Sequence, residues 1–163
     1  MSYLRSTPRP TLQILRLLGR PRVPSTEAAD RQTRHGSCLE ALVMTPQELR
    51  QRTEAFAART MALTRPFVRS PEYRDVASQA RRAATSAAAN YRAVCLARSR
   101  REFTAKLGVV LEEIDEAAYW LPLLRDAPSV PSTELEWLIQ EANQLSRIFG
   151  ASRRTAANRS GSQ

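Results

Sequence analysis

Residues 99–124 read SRREFTAKLGVVLEEIDEAAYWLPLL, and this stretch decides the fold. Phe103, Leu107, Val110, Ile114, Ala117, Leu121 and Leu124 recur at alternating steps of four and three residues, the spacing that lays one apolar stripe along an α-helix. Ser99 and Glu102 at its head have the S-x-x-E spacing of a capping box, in which hydroxyl and carboxylate each accept from the other's backbone N–H. Pro122 lies inside the last turns and is expected to kink or loosen them, with the chain turning around residues 126–131.

The same grammar extends on both sides. Upstream, Ser70-Pro71-Glu72 opens a helix dense in small residues, through Val76, Ala80, Ala83, Ala84, Ala87, Tyr91 and Val94. At 100° per residue, Arg74, Arg81 and Arg92 fall within about 20° of one another on another side, so an arginine stripe runs along it. Before that, Thr45-Pro46-Gln47-Glu48 sets a hydroxyl at the N-cap, proline at the first helical position and glutamate at the third, a second capping box. Leu49, Phe56 and Leu63 follow at heptad spacing with Thr53 and Thr60 between them, and the helix ends near Arg65-Pro66, because proline disfavours helical geometry in the residue before it. Downstream, a last helix begins at Ser132 or Thr133 and turns Leu135, Leu138, Ile139, Ala142, Leu145, Ile148 and Phe149 inward. Gly150 is expected to end or fray it, leaving a polar, mobile tail over residues 151–163. Short connections force sequential helices to run in opposite directions. The expected fold is therefore all-α, an antiparallel up-down-up-down four-helix bundle over residues 44–150.

Residues 1–43 carry Pro8, Pro10, Pro21, Pro24 and seven arginines, and apart from Leu12 to Leu18 they lack helical periodicity. They read as a basic extension outside the bundle, either a disordered leader or a stretch upstream of the natural first residue, Met44. The run Leu12 to Leu18 is too short for a membrane span and is broken by Arg16. Cys38 and Cys95 form neither a CxxC pair nor a zinc-ligand pattern, which fits free thiols in a reducing, cytoplasmic setting.

Over the whole chain, 25 Lys and Arg face 16 Asp and Glu, a net charge of +9, and Lys106 is the only lysine. A surplus of this kind suits polyanions, although a basic chain can also be basic only for solubility. Catalysis finds no purchase. His35, the one histidine, lies in the extension, so Ser-His and Cys-His nucleophiles are not available to the bundle. Glu112, Glu113, Asp115 and Glu116 resemble a carboxylate metal site only superficially, since bundle di-metal sites draw on Glu-x-x-His pairs; a solvated acidic face is the simpler reading. No glycine-rich loop precedes a helix. The chain is expected to be no enzyme and to need neither metal nor cofactor.

The residues Ser78-Gln79-Ala80-Arg81-Arg82-Ala83-Ala84-Thr85-Ser86, Ala89-Asn90-Tyr91-Arg92 and Ala97-Arg98-Ser99-Arg100-Arg101-Glu102-Phe103 resemble the bacterial four-helix-bundle family of 23S rRNA intervening-sequence proteins. Leu107-Gly108-Val109-Val110-Leu111-Glu112-Glu113, Glu116 to Trp120 and Glu141-Ala142-Asn143-Gln144-Leu145 continue the resemblance, which covers residues 44 to about 156. It implies a ring of five bundles, hence a homopentamer. A distant branch comprises the accessory variability proteins of diversity-generating retroelements, which bind nucleic acid and a reverse transcriptase through a basic surface. One departure stands out: where close relatives often read Asn-Tyr-Arg-Glu-Ala-Cys-Arg, this chain has Asn90-Tyr91-Arg92-Ala93-Val94-Cys95-Leu96, losing one acid and one base.

The candidate nucleic-acid-binding set is Arg74, Arg81, Arg82, Arg92, Arg98, Arg100 and Arg101, because guanidinium groups take phosphate bidentately and a ring multiplies the charge. Arg74 and Arg81 have an alternative use, pairing with acids on a neighbouring helix or subunit. The other reading of the whole is an interaction scaffold that recruits an acidic or enzymatic partner, such as a reverse transcriptase. Asn90 and Tyr91 are expected to be structural and Cys95 to be a small core residue. Tyr119, Trp120 and Trp137 are expected in the core or between subunits rather than stacked on bases.

Overall fold

A computed structural model describes residues 44–158. Readings that fall on residues 1–43, including those on His35, Cys38 and the membrane run, lie outside the described residues, as does the last part of the tail. Four α-helices are present and, among the described residues, no strand: α1 Pro46–Thr64, α2 Arg74–Val94, α3 Arg100–Trp120 and α4 Ser132–Asn158. Two 3-10 segments, Arg65–Arg69 and Leu121–Leu124, follow α1 and α3.

The helix starts follow from their caps. Thr45 makes both arms of its capping box, accepting from Glu48 N–H at 3.2 Å while Glu48 accepts from Thr45 N–H at 2.6 Å. Ser99 makes one arm, accepting from Glu102 N–H at 3.1 Å; the Glu102 carboxylate instead accepts from Arg98 N–H at 2.8 Å. That carboxylate also pairs with Lys106 at 3.0 Å, so the reciprocal arm lands one residue earlier than the box pattern predicts. α2 starts later than the Ser70-Pro71-Glu72 signal. Residues 71–73 form a turn in which Ser70 Oγ accepts from Tyr73 N–H at 3.2 Å, and regular helix begins at Arg74. Pro122 does not kink α3: it opens the following 3-10 turn, where Leu121 and Leu124 are fully buried and a missing N–H costs little.

One hydrophobic core joins all four helices. α1 contributes Leu49, Phe56 and Leu63, and its Thr53, Thr60 and Thr64 are buried too. Each threonine donates its hydroxyl to the carbonyl four residues back, at 2.7, 2.9 and 2.7 Å, which removes the penalty of an unpaired buried hydroxyl. α2 supplies Ala77, Ala80, Ala83, Ala84, Ala87 and Ala88, and this small-residue face packs most extensively against α3. Tyr91 lies against Phe149 of α4, ring centroids 5.1 Å apart. Cys95 is buried, as expected of a small core residue, and desolvation pushes its thiol pKa up.

α1 and α4 are joined by charge. Arg52 donates from Nε and Nη2 to the two carboxylate oxygens of Glu141, 2.7 Å for the Nη2 bond, and Glu141 is only 5% exposed. Arg59 likewise grips Glu134, with an Nε bond of 2.7 Å, and lies 3.4 Å over the Trp137 ring. From Arg52 to Arg59 the chain number rises by seven while from Glu141 to Glu134 it falls by seven. At the end where α1 runs into α2, the Tyr73 hydroxyl donates to Asp126 O at 3.2 Å, tying the first interhelical connection to the third.

Gly150 does not end α4. The helix continues to Asn158 and buries Ala156 completely, so the folded unit extends eight residues beyond the boundary expected at 150. One glycine costs a helix roughly 1 kcal/mol, and packing of the following turns on α3 outweighs it. No helix among the described residues is long and apolar enough to cross a membrane.

Candidate nucleic-acid interface

The seven arginines separate into two groups. Arg74, Arg81 and Arg82 are engaged within the fold. Arg74 pairs with its neighbour Asp75 at 3.1 Å, both side chains well exposed. Arg82 reaches Glu116 on α3 at 3.2 Å, where the same carboxylate oxygen accepts from Trp120 Nε1 at 3.2 Å. Arg81 finds no acid among the described residues: it donates to Thr64 Oγ1 at 3.2 Å and to Thr64 O at 3.1 Å, closing the C-terminal end of α1. The stripe on α2 is therefore partly spent on internal bonds, in one case through a helix-end carbonyl that sequence spacing does not reveal.

Arg92, Arg98, Arg100 and Arg101 form the second group, at the end of α2, in the turn and at the start of α3. None of the four has a side-chain ion pair among the described residues. Arg92, Arg98 and Arg101 are exposed and Arg100 is half-buried. The turn is kept by backbone bonds, Leu96 N–H to Ala93 O at 3.2 Å and Ala97 N–H to Val94 O at 3.1 Å, with buried Ala97 as its anchor. Four arginines, three of them exposed, thus fall within ten residues that span the end of α2, the turn and the start of α3. The lost acid of the sequence comparison falls at Ala93, one residue from Arg92.

The remaining candidates sort differently. Asn90 is half-buried and donates from Nδ2 to Ser86 O at 3.0 Å and Ser86 Oγ at 3.1 Å, a bond within its own helix. Burial pushes the Tyr91 phenol far above its ordinary pKa. Trp137 is half-buried beneath Arg59. Tyr119 lies outside the core of the bundle, being 63% exposed with its ring edge-on to Trp120 at 4.9 Å, which leaves the other expected place, between subunits; Leu123, four residues on, is exposed as well. Among the described residues no three His, Cys, Asp or Glu side chains converge as metal ligands would; of the acidic run, Glu116 serves Arg82 and Trp120.

Sequence reading missed a second basic feature, on the extra turns of α4. Arg153 and Arg154 border a groove of about 200 Å³ shared with Thr104 and Leu111 of α3 and with Gly150 and Ala157. A signal for those turns was present: the inward positions Ala142, Leu145 and Phe149 are followed seven residues later by Ala156.

Comparison with known proteins gives the geometry a lineage. No curated protein matches the chain. A solved structure from Bacteroides thetaiotaomicron, described as a protein of unknown function from the S23 ribosomal protein family, is similar at 27% identity and a TM-score of 0.56, covering 62% of this chain and 94% of the other. The model of the 23S rRNA-intervening sequence protein family matches residues 46–151, all four helices up to the extra turns of α4, and the chain belongs to that family.

Proposed function

We propose that the protein is a non-enzymatic nucleic-acid-binding protein, an antiparallel four-helix bundle assembled as a cytoplasmic homo-oligomer, with five copies as the ring that the family resemblance implies. The observation that carries this reading is the group Arg92, Arg98, Arg100 and Arg101, outside any ion pair among the described residues and carried on and beside a turn closed by backbone hydrogen bonds. Guanidinium groups outside any ion pair can take phosphate bidentately; of the four, Arg98 lies near enough to Glu102 for its charge to help lower that carboxylate's pKa. Repetition around a ring turns modest contacts into avidity. Opposed numbering along the Arg52–Glu141 and Arg59–Glu134 pairs supports the antiparallel arrangement.

The test is binding of labelled single- and double-stranded RNA and DNA across a salt series, with an Arg92, Arg98, Arg100, Arg101 quadruple alanine variant beside the parent protein. Affinity that falls steeply with salt and is lost in the variant supports the reading; no binding at low salt overturns it. A second reading rests on the exposed Tyr119 and Leu123 beside half-buried Trp120, which suit a protein contact: an accessory scaffold whose partner is an enzyme such as a reverse transcriptase. Binding of that kind would depend weakly on salt and would be lost in Tyr119→Ala.

A further inference from the structure

We propose that the groove between α3 and the last turns of α4 clasps a phosphodiester of bound nucleic acid between Arg153 and Arg154. The inference rests on the nucleic-acid reading above and adds to it a contact outside residues 46–151, the span shared with the family. The groove measures about 200 Å³ and has no carboxylate in its lining, which is Thr104, Leu111, Gly150, Arg153, Arg154 and Ala157. Neither arginine has an ion pair among the described residues, and both are exposed.

Two glycines locate the guanidinium groups. A Cβ on buried Gly108 of α3 would lie 3.5 Å from Arg153 Nε and 3.6 Å from its Cζ, and a Cβ on Gly150 would lie 3.4 Å from Arg154 Nη1. Arg153 therefore leans across to α3 while Arg154 folds back along its own helix, so consecutive residues border one groove. Two guanidinium-bearing residues bordering one groove suit the several oxygens of a phosphate better than they suit a single carboxylate. The Thr104 hydroxyl is committed to Arg100 O at 2.9 Å, which leaves recognition to the guanidinium groups. Leu111 and Ala157 add an apolar wall, against which a sugar packs and a free inorganic anion gains nothing. Thr104 also sets the direction: one helical turn before it stands Arg100, so the groove leads along α3 to the arginine turn and a strand could follow both.

The experiment measures RNA binding across a salt series for the full chain, Arg153→Ala/Arg154→Ala and the Arg92, Arg98, Arg100, Arg101 quadruple variant, with titration of inorganic pyrophosphate in parallel. Circular dichroism confirms that α4 persists. Expected is a weaker affinity in the double variant and a salt slope shallower by about 0.7, the value for one phosphate contact on a single strand. If the parent binds RNA and the double variant matches it in affinity and slope, the inference fails and the wider reading stands. If the parent binds neither RNA nor DNA at low salt, the wider reading fails first. Pyrophosphate binding lost in the double variant with RNA binding unchanged would assign the groove to a free anion and overturn the phosphodiester clasp.

Discussion

Arg81 closes the end of α1 by donating to both the hydroxyl and the carbonyl of Thr64. The hydroxyl proton is directed to Thr60 O at 2.7 Å, so Thr64 Oγ1 offers Arg81 a lone pair, and the Thr64 carbonyl, at the junction of α1 with the 3-10 segment, has a second lone pair for the same guanidinium. A guanidinium on α2 thus satisfies α1. Arg81→Ala should cost about 1–2 kcal/mol, the scale of losing charge-assisted bonds at a half-buried site, measured as a lower urea midpoint. RNA affinity of the folded variant should match the parent. A variant of unchanged stability and weakened RNA binding would return Arg81 to the binding surface.

The Arg52–Glu141 pair is asymmetric, the carboxylate being buried and the arginine side chain 25% exposed. Arg52→Ala strands a buried anion and should cost about 2–3 kcal/mol, somewhat below the ~3–5 kcal/mol of fully buried pairs because Arg52 keeps some water. Arg52→Met with Glu141→Leu replaces both by apolar groups and should recover most of that loss. A double-mutant cycle in urea reads the comparison directly. If the double variant is less stable than Arg52→Ala alone, the pair is not the source of the cost.

Acid should weaken the fold through several carboxylates together. Hydrogen bonds from Arg59 hold the Glu134 pKa below its ordinary value, those from Arg125 do the same for Glu136, and backbone N–H groups of Thr45 and Arg98 do so for Glu48 and Glu102. A depressed folded pKa contributes stability that is present above the unfolded value, about 4.3 for glutamate, and is lost as pH falls through the folded value. Urea midpoints should therefore be level from neutrality to about pH 5 and decline below it. Glu134→Gln should start lower at neutral pH and decline less; an acid slope identical to the parent's would remove Glu134 from the account.

Much of this was legible in the residues. The all-α class, the helix count and the inward positions of α1, α3 and α4 follow from periodicity and from hydroxyl caps, which are local properties. What was not legible depends on pairs distant in sequence. Arg81 and Thr64 are separated by 17 positions and Arg52 and Glu141 by 89, so no spacing rule connects them, and the bonds of Arg81 to the end of α1 had no signal in the sequence. Tyr119 follows the converse logic. Its helix carries an apolar stripe, but Tyr119 lies off that stripe between Ala117 and Leu121, and residue type alone left both the core and a subunit interface open to it.

The end of α4 offers the sharpest case, because glycine was read as a stop where the helix continues. Gly150 stands mid-helix, where it loses backbone entropy and contributes no side chain. A Cβ there meets only the flexible tip of Arg154, at 3.4 Å. Gly150→Ala should therefore stabilise the protein by about 0.5–1 kcal/mol, seen as a higher urea midpoint and slower exchange of the amides of residues 151–158. If residues 151–158 were a frayed tail, the substitution would leave both unchanged. A chain ending at Gly150 should be less stable than the parent by more than the alanine variant gains, because it uncovers the core face that Ala156 seals.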